Sequence, residues 1–292
     1  MKKTLITAGV AFWFAMVAGA GETNRIDKLV LPTNLWFQVG EELVYKVYWG
    51  IIPVGTATIK TEWADVNSRK LIAIRYRALS NKVISALYPV DSSIESLIDP
   101  ETFKSVRFTK NLREGRHRSY EVTVFNYRTL TASWTSLTKN RNKTFALEPE
   151  TRDLVAFLYA IRAWPFEPNM TRQYRVMADD AIYDLWVRTK EREAVKLPVF
   201  GQVASVRIEP EAAFNGLFVR KGKITVWVSD DERRFVTRIA ASVPVADIDI
   251  VLCGVSGPGS DSWTRAGQAS KPESSEDASS SPQKTDPVSP GR

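Results

Sequence analysis

Carboxylates are the residues of this chain best spaced for chemistry. Asp91 and Glu95 share the stretch YPVDSSIES, and Asp179-Asp180 and Asp230-Asp231-Glu232 are adjacent acids. A glycosidase needs two carboxyl groups several ångströms apart across a cleft, one to protonate the leaving oxygen and one to activate water or attack. Asp179-Asp180 and Asp230-Asp231 fall where turns are expected, and Asp favours turns because its side chain bonds nearby backbone. Asp91 and Glu95 read equally as a polar strand edge. The single histidine, His117 in EGRHRSY, lies beside an expected hairpin turn amid arginines. That is a solvated setting, unlike the buried and oriented base of a Ser-His-Asp triad. One His and one Cys cannot assemble the common zinc ligand sets. GxSxG, HExxH, GxxxxGK[ST] and acid-rich calcium loops do not occur. No catalytic residue, metal site or cofactor is therefore assigned. A glycan hydrolase using Asp91 and Glu95 stands as a minor reading. Cys253, in the apolar run DIDIVLCG, reads as a buried thiol with no intrachain partner.

Charge is the next resource. The chain carries net +7, and residues 104–143 alone hold ten basic residues against Glu114 and Glu121. A concentrated field of this kind attracts anions. Arg107, Arg113, Arg116 and Arg118 are the candidate anion ligands. Trp49 and Trp134 are the candidate aromatic contacts, for an apolar chain inside or sugar rings outside.

The stretch GIIPVG (50–55) is an apolar connection between two strand-like segments. Loops normally carry polar side chains over the surface. Gly50 and Gly55 permit unusual backbone angles, and Pro53 restricts its own and its neighbour's. Ile51, Ile52 and Val54 have two fates. Folding inward as a plug is the commoner outcome for apolar loop residues. Projecting as a finger would mark membrane or partner contact.

The elements that must position these residues are mostly strands. Leu43, Tyr45, Val47 and Trp49 share one face at period two, and similar alternation recurs over 56–64, 69–79, 103–110, 117–125 and 129–137. Further strands are expected at 172–178, 182–190, 202–209, 219–229 and 233–242. Turn signals fall at Asn67-Ser68, Asp99-Pro100, Glu114-Gly115 and Asn126-Tyr127-Arg128. Residues 150–163 break the period: Leu154, Phe157, Leu158 and Ile161 stand at helical spacing and Pro165 stops the run. A second helical piece is expected near 81–87. So many antiparallel strands must curl, split or close. The spacing predicts a mainly β protein: a large curled antiparallel sheet, barrel or half-barrel, with one helix packed on it. A two-sheet β-sandwich is the alternative.

Both ends lie outside this domain. Lys2 and Lys3, the apolar run Leu5–Val17 and Ala18-Gly19-Ala20 form a secretory signal peptide over 1–20. Residues 22–255 are read as a single β domain. Residues 256–292, rich in Ser, Pro and charge, are read as a disordered tail. Export, to the periplasm or beyond, excludes nucleic acid as the partner of the basic segment.

Four stretches taken in order, VGEELVYKVYWG with Gly55, YPVDSSIES, RDLVAFLYAIR and WVSDDERRFVTRI, resemble the bacterial exported family catalogued as domain of unknown function 3108. The resemblance covers about residues 36–250. It implies a secreted or periplasmic antiparallel β protein and no catalytic residue. By analogy of fold it is similar to the curved-sheet lipoprotein carriers of the periplasm. The expectation is a non-enzymatic cell-envelope protein that binds or carries an amphipathic anion such as a lipid or lipid-linked glycan, with transient contact to a membrane surface. The alternative is an envelope assembly factor acting through protein partners or cell-wall polymer.

Overall fold

The structure, a computed structural model, describes residues 34–214, 217–218, 223–243, 246–259 and 261–269. The expected signal peptide and the tail beyond residue 269 lie outside the described residues. In chain order the elements are β1 (Glu42–Trp49), β2 (Ile52–Val66), β3 (Arg69–Ser80), helix α1 (Lys82–Leu87), β4 (Asp91–Ile98), β5 (Ser105–Glu114), β6 (His117–Asn126), β7 (Thr131–Ser136) and β8 (Arg141–Ala146). Then come β9 (Arg152–Asp153), helix α2 (Leu154–Ala160) with a 3-10 turn (Ile161–Ala163), β10 (Thr171–Ala178), β11 (Ala181–Leu197) and β12 (Gly201–Phe214). The chain closes with β13 (Leu217–Phe218), β14 (Lys223–Ser229), β15 (Val236–Val243), β16 (Ala246–Ser256) and helix α3 (Ser262–Ala269).

All strands belong to one sheet, ordered β8-β7-β6-β5-β4-β3-β2-β1-β16-β15-β14-β12-β11-β10-β9, with β13 on β12. This is the curled sheet and not the sandwich. Two antiparallel meanders are joined along the β1–β16 seam, where Tyr45 pairs with Leu252 and Trp49 with Ile248. The short β9–β10 pairing is parallel. The sheet curls without closing, and side chains bridge its two ends: Lys143 on β8 meets Asp180 at 2.5 Å, and Glu148 meets Arg175 at 3.2 Å.

Turn chemistry follows the sequence closely. Asn67 and Ser68 both take positive φ between β2 and β3, the two-residue geometry that matches strand twist. Asp179, also at positive φ, opens the β10–β11 turn. Asp231 Oδ1 accepts from the backbone N–H of Arg233 and Arg234, so this acidic run works as a turn.

Helix α2 lies against the concave side of the sheet and is shorter than expected. Arg152 and Asp153 are taken into the sheet as β9, and Asp153 caps the helix by accepting from Val155 N and Ala156 N at 2.9 Å. Ser96 Oγ donates to the same carboxylate at 2.6 Å, and the Asp153 N–H donates to Ser105 Oγ. Phe157 and Ile161 enter one core with Leu43, Tyr45 and Leu252, while Val155, Ala156 and Tyr159 enter a second with Ile72, Ile74 and Phe108. The helix thus separates and serves two halves of the interior. Just past it, Arg162 is held bidentately by Glu41 at 2.5 and 3.1 Å, with both side chains almost wholly buried. Burial opposes the charge of Arg162, but Glu41 outweighs it and raises the guanidinium pKa.

Three expectations are corrected here. The tail does not begin at residue 256. Residues 262–269 form α3, whose Trp263 is 6% exposed, packs on Phe200 and Phe235, and donates to Asp231 Oδ2 at 2.6 Å. Asp261 just before the helix adds an ion pair to Arg233 at 3.2 Å. Second, the connection GIIPVG is only the two-residue turn Gly50–Ile51. β2 already starts at Ile52, with an irregularity between its pairings to Val47 and Tyr48. Third, β8 forms at residues 141–146, which no periodicity marked.

Candidate functional site

The concave face of the sheet and one face of α2 enclose apolar space. Leu154 and Leu158, one turn apart, are only half-buried on a helix whose other apolar side chains are covered. On one side of them lies a cavity of about 70 Å³, walled by strands β1 to β4, β15 and β16 through side chains such as Leu43, Ile59, Ile94 and Ile239. On the other lies a smaller void of about 20 Å³ against Leu185, Ile208 and Val226. Leu154 and Leu158 line both. On β1 and β2 the wall comes from alternate residues, Leu43 with Tyr45 and Ala57 with Ile59, as the pleat requires.

The few polar groups at the larger cavity are tyrosines and the buried arginine. Tyr45 donates its hydroxyl to the Val236 carbonyl at 3.0 Å. Burial pushes the hydroxyls of Tyr45 and Tyr76 upward, Tyr76 further through Glu114, so both stay neutral. Arg162 is already satisfied in charge by Glu41. The space therefore offers an acyl or alkyl chain dispersion contact and no free charge.

The sequence-derived candidates separate into three places. Trp134 is not an exposed platform: it is 4% exposed and its Nε1 donates to Glu121 Oε2 at 3.2 Å. It falls on the inward parity of β7, which the basic surroundings disguised. Trp49 does not face a covered interior and is 39% exposed. It has the parity of Tyr45 but stands four residues further along, roughly 13 Å up the strand, at the rim. Arg107 lies on the outer wall and meets Glu95 at 3.3 Å. Arg113, Arg116 and Arg118 are exposed at and beside the β5–β6 turn. None of these arginines lines the cavity. Ile51 is 95% and Ile52 54% exposed, so the turn is a finger and not the commoner plug, and Val54 is half-buried behind it. Just behind the turn, β2 lies so close to its paired neighbour β3 that a Cβ on Gly55 would sit 2.2 Å from the Leu79 carbonyl oxygen.

The acids proposed for hydrolysis are on the outer wall. Asp91 pairs with Arg77 at 3.1 Å, and Glu95 with Arg75 at 2.9 Å and with Arg107. Asp91 is exposed and Glu95 partly so, and each carboxylate is engaged by arginine. What the sequence reading missed was the pair Glu41–Arg162 and the role of α1. For α1 the signal was present, since Val83 and Leu87 stand one turn apart in the short helical piece.

An open, curled antiparallel sheet folded around one short helix defines the class: a β-barrel-like protein with an apolar interior. The chain belongs to the family of proteins of unknown function DUF3108, whose family model matches residues 44–252. Among solved structures it is similar to a β-barrel-like protein of domain of unknown function DUF1849 from Brucella abortus. The two share 9% identity, with 78% of this chain and 100% of that one covered, at a TM-score of 0.56. This likeness is one of fold. A candidate lipoprotein from Parabacteroides distasonis aligns at 10% identity over 77% of this chain and 100% of its own, at a TM-score of 0.32. No curated protein matches the chain.

Proposed function

We propose that this protein is an exported, non-enzymatic cell-envelope protein that binds the apolar chain of an amphiphile between α2 and the concave sheet. The observation that carries this reading is the pair Leu154 and Leu158. Two leucines on an otherwise buried helix are left half-buried between two apolar voids. Taking a leucine side chain from full exposure to full burial is worth about 1.5–3 kcal/mol, and these two forgo part of that gain. The free volume is about half the roughly 150 Å³ that accommodates benzene in an engineered cavity, and well below an ordinary ligand pocket. A chain longer than a few carbons must therefore displace the two leucines and join the two voids. Export is supported by the signal-like N-terminus.

Native mass spectrometry of protein purified from a bacterial envelope tests this. The expected result is a co-purifying chain-bearing amphiphile released on denaturation. Leu158→Ala, which enlarges the space, should raise its occupancy, and Leu158→Phe, which fills it, should lower it. Protein that is clean as isolated, and that takes up no fluorescent fatty-acid analogue in either variant, would overturn the reading.

A further inference from the structure

The β1–β8 meander carries four connections to one end of the sheet: the β1–β2 turn, the β3–β4 link containing α1, the β5–β6 turn and the β7–β8 turn. Helix α1 has no buried residue. Six residues are far too few for an isolated helix to persist in water. This one is held by its cap and by the neighbouring finger. Asn81 Oδ1 accepts from Ile84 N at 2.9 Å, the Asn81 N–H donates to the Val54 carbonyl at 2.9 Å, and Asn81 Nδ2 donates to the Pro53 carbonyl at 2.6 Å. The finger and the helix are thus one structure. It presents Ile51 (95% exposed), Ile52 (54%), Val83 (75%) and Leu87 (85%) outward.

The basic hairpin is fastened to the same unit. The Tyr88 ring, just after α1, lies so close to Gly115 that an added Cβ would come within 2.4 Å of it, and the Gly115 N–H donates to the Pro89 carbonyl at 2.8 Å. Arg113, Arg116 and Arg118 therefore stand beside the apolar tips. On the outer wall, arginines are neutralised: Arg75, Arg77 and Arg107 each meet a carboxylate. At the rim, among the described residues, Arg113, Arg116 and Arg118 meet none, and Arg118 donates instead to the backbone carbonyls of Gly115 and His117. Lys82 on α1 is exposed beside them. At the opposite end, the exposed ring of Trp63 is covered by Lys70 at 4.5 Å.

We infer that this rim docks on the surface of an anionic lipid bilayer. Ile51, Ile52, Val83 and Leu87 enter the interfacial layer, while Arg113, Arg116, Arg118 and Lys82 lie at the phosphate level. The shape and charge select this occupant. The apolar side chains protrude from the β1–β2 turn and from α1, as insertion between lipids requires, and the cations of the β5–β6 hairpin with Lys82 complement an anionic headgroup layer. The docking surface stands independently of the interior cavity.

Sedimentation of the full chain with phosphatidylglycerol-containing vesicles tests it, against pure phosphatidylcholine vesicles. Wild-type protein should partition onto the anionic vesicles at about 0.1 M salt. It should be released at about 1 M, where the screening length falls from ~10 to ~3 Å. Ile51→Ser with Ile52→Ser, and separately Val83→Ser with Leu87→Ser, should each weaken partitioning about ten-fold or more. Arg113→Ser, Arg116→Ser and Arg118→Ser together should remove the preference for anionic lipid. The altered side chains are exposed, so melting temperatures should stay at the wild-type value, and the salt dependence of the unaltered chain is a readout that needs no variant. Absence of wild-type partitioning, binding equal on neutral vesicles, or variants that partition as wild type would each overturn the inference. So would a wild-type chain that ignores vesicles but forms a stoichiometric complex with an envelope protein lost in the same variants.

Discussion

Lys110 shows how much a single residue's meaning depends on its neighbours. In the sequence it is one of ten positive charges in a basic segment. In the fold its side chain is 8% exposed, points inward, and contacts Glu121 Oε2 at 3.0 Å and the Asp179 carboxylate. Burial opposes the charge of Lys110, and Asp179 with Glu121 outweighs it, raising its pKa. Burial likewise opposes the charge of Glu121, and Lys110, Ser119 and Trp134 outweigh it, holding its carboxyl below the usual range. The signs of the pH dependence follow. The contribution of Glu121 is complete above its unfolded pKa of about 4.3 and is lost as pH falls through the lower folded value. The contribution of Lys110 is complete below about 10.4 and is lost as pH rises through the higher folded value. Urea midpoints of wild type and Glu121→Gln across acid pH should show an advantage for wild type near neutrality that closes on acidification. A constant difference at every pH would show that Glu121 acts through packing alone.

At the scale of elements, two short helices stand where hydrophobic pattern and composition pull in different directions. α2 was legible because Leu154, Phe157, Leu158 and Ile161 keep helical spacing. Its start was not, because Arg152 and Asp153 are claimed by the sheet. α3 was illegible because the contacts that hold it are far away in sequence: Trp263 on Phe200, Phe235 and Asp231, and Asp261 on Arg233. Truncation after Gly259 should therefore cost about 3–5 kcal/mol, the usual toll for removing a buried aromatic, and Trp263→Ala nearly as much. Chemical denaturation of the two variants against the full chain checks this. Midpoints unchanged from wild type would return the segment to the tail.

The whole molecule is a sheet whose two ends face each other without strand pairing. Lys143 on β8 pairs with Asp180 and Lys110 on β5 with Asp179, both at the β10–β11 turn, and Trp134 on β7 shares an apolar cluster with Met177 on β10. The exposed pair Lys143–Asp180 contributes little, about 0–1 kcal/mol. The seam should thus open locally at less cost than the strand-paired sheet. Asp179→Asn with Asp180→Asn should accelerate amide hydrogen exchange in β7 and β8 selectively, with exchange along the β1–β16 seam unchanged. Uniform acceleration would mean the ends are coupled to the global fold.

Much was decided locally and could be read from the chain alone. Strand period, the Asn67-Ser68 turn, the helical spacing around Phe157 and the basicity of residues 104–143 each depend on residues a few positions apart. The periods and turn signals were enough to indicate a curled β sheet with a packed helix, and four motifs in order carried the resemblance to the family. Which side of the sheet each residue faces at a distance from the turns, and what covers it there, is a matter of partners far apart in sequence. Tertiary structure alone turned Trp134 inward onto Glu121, left Trp49 at the rim, and neutralised Arg107 on the outer wall. It also set Ile51 and Ile52 outward beside α1 and the arginine hairpin. The physical reason is the same in each case. Sequence period fixes which residues share a face, whereas burial and charge pairing depend on which distant element approaches that face, and only the curling of the open sheet around α2 determines that.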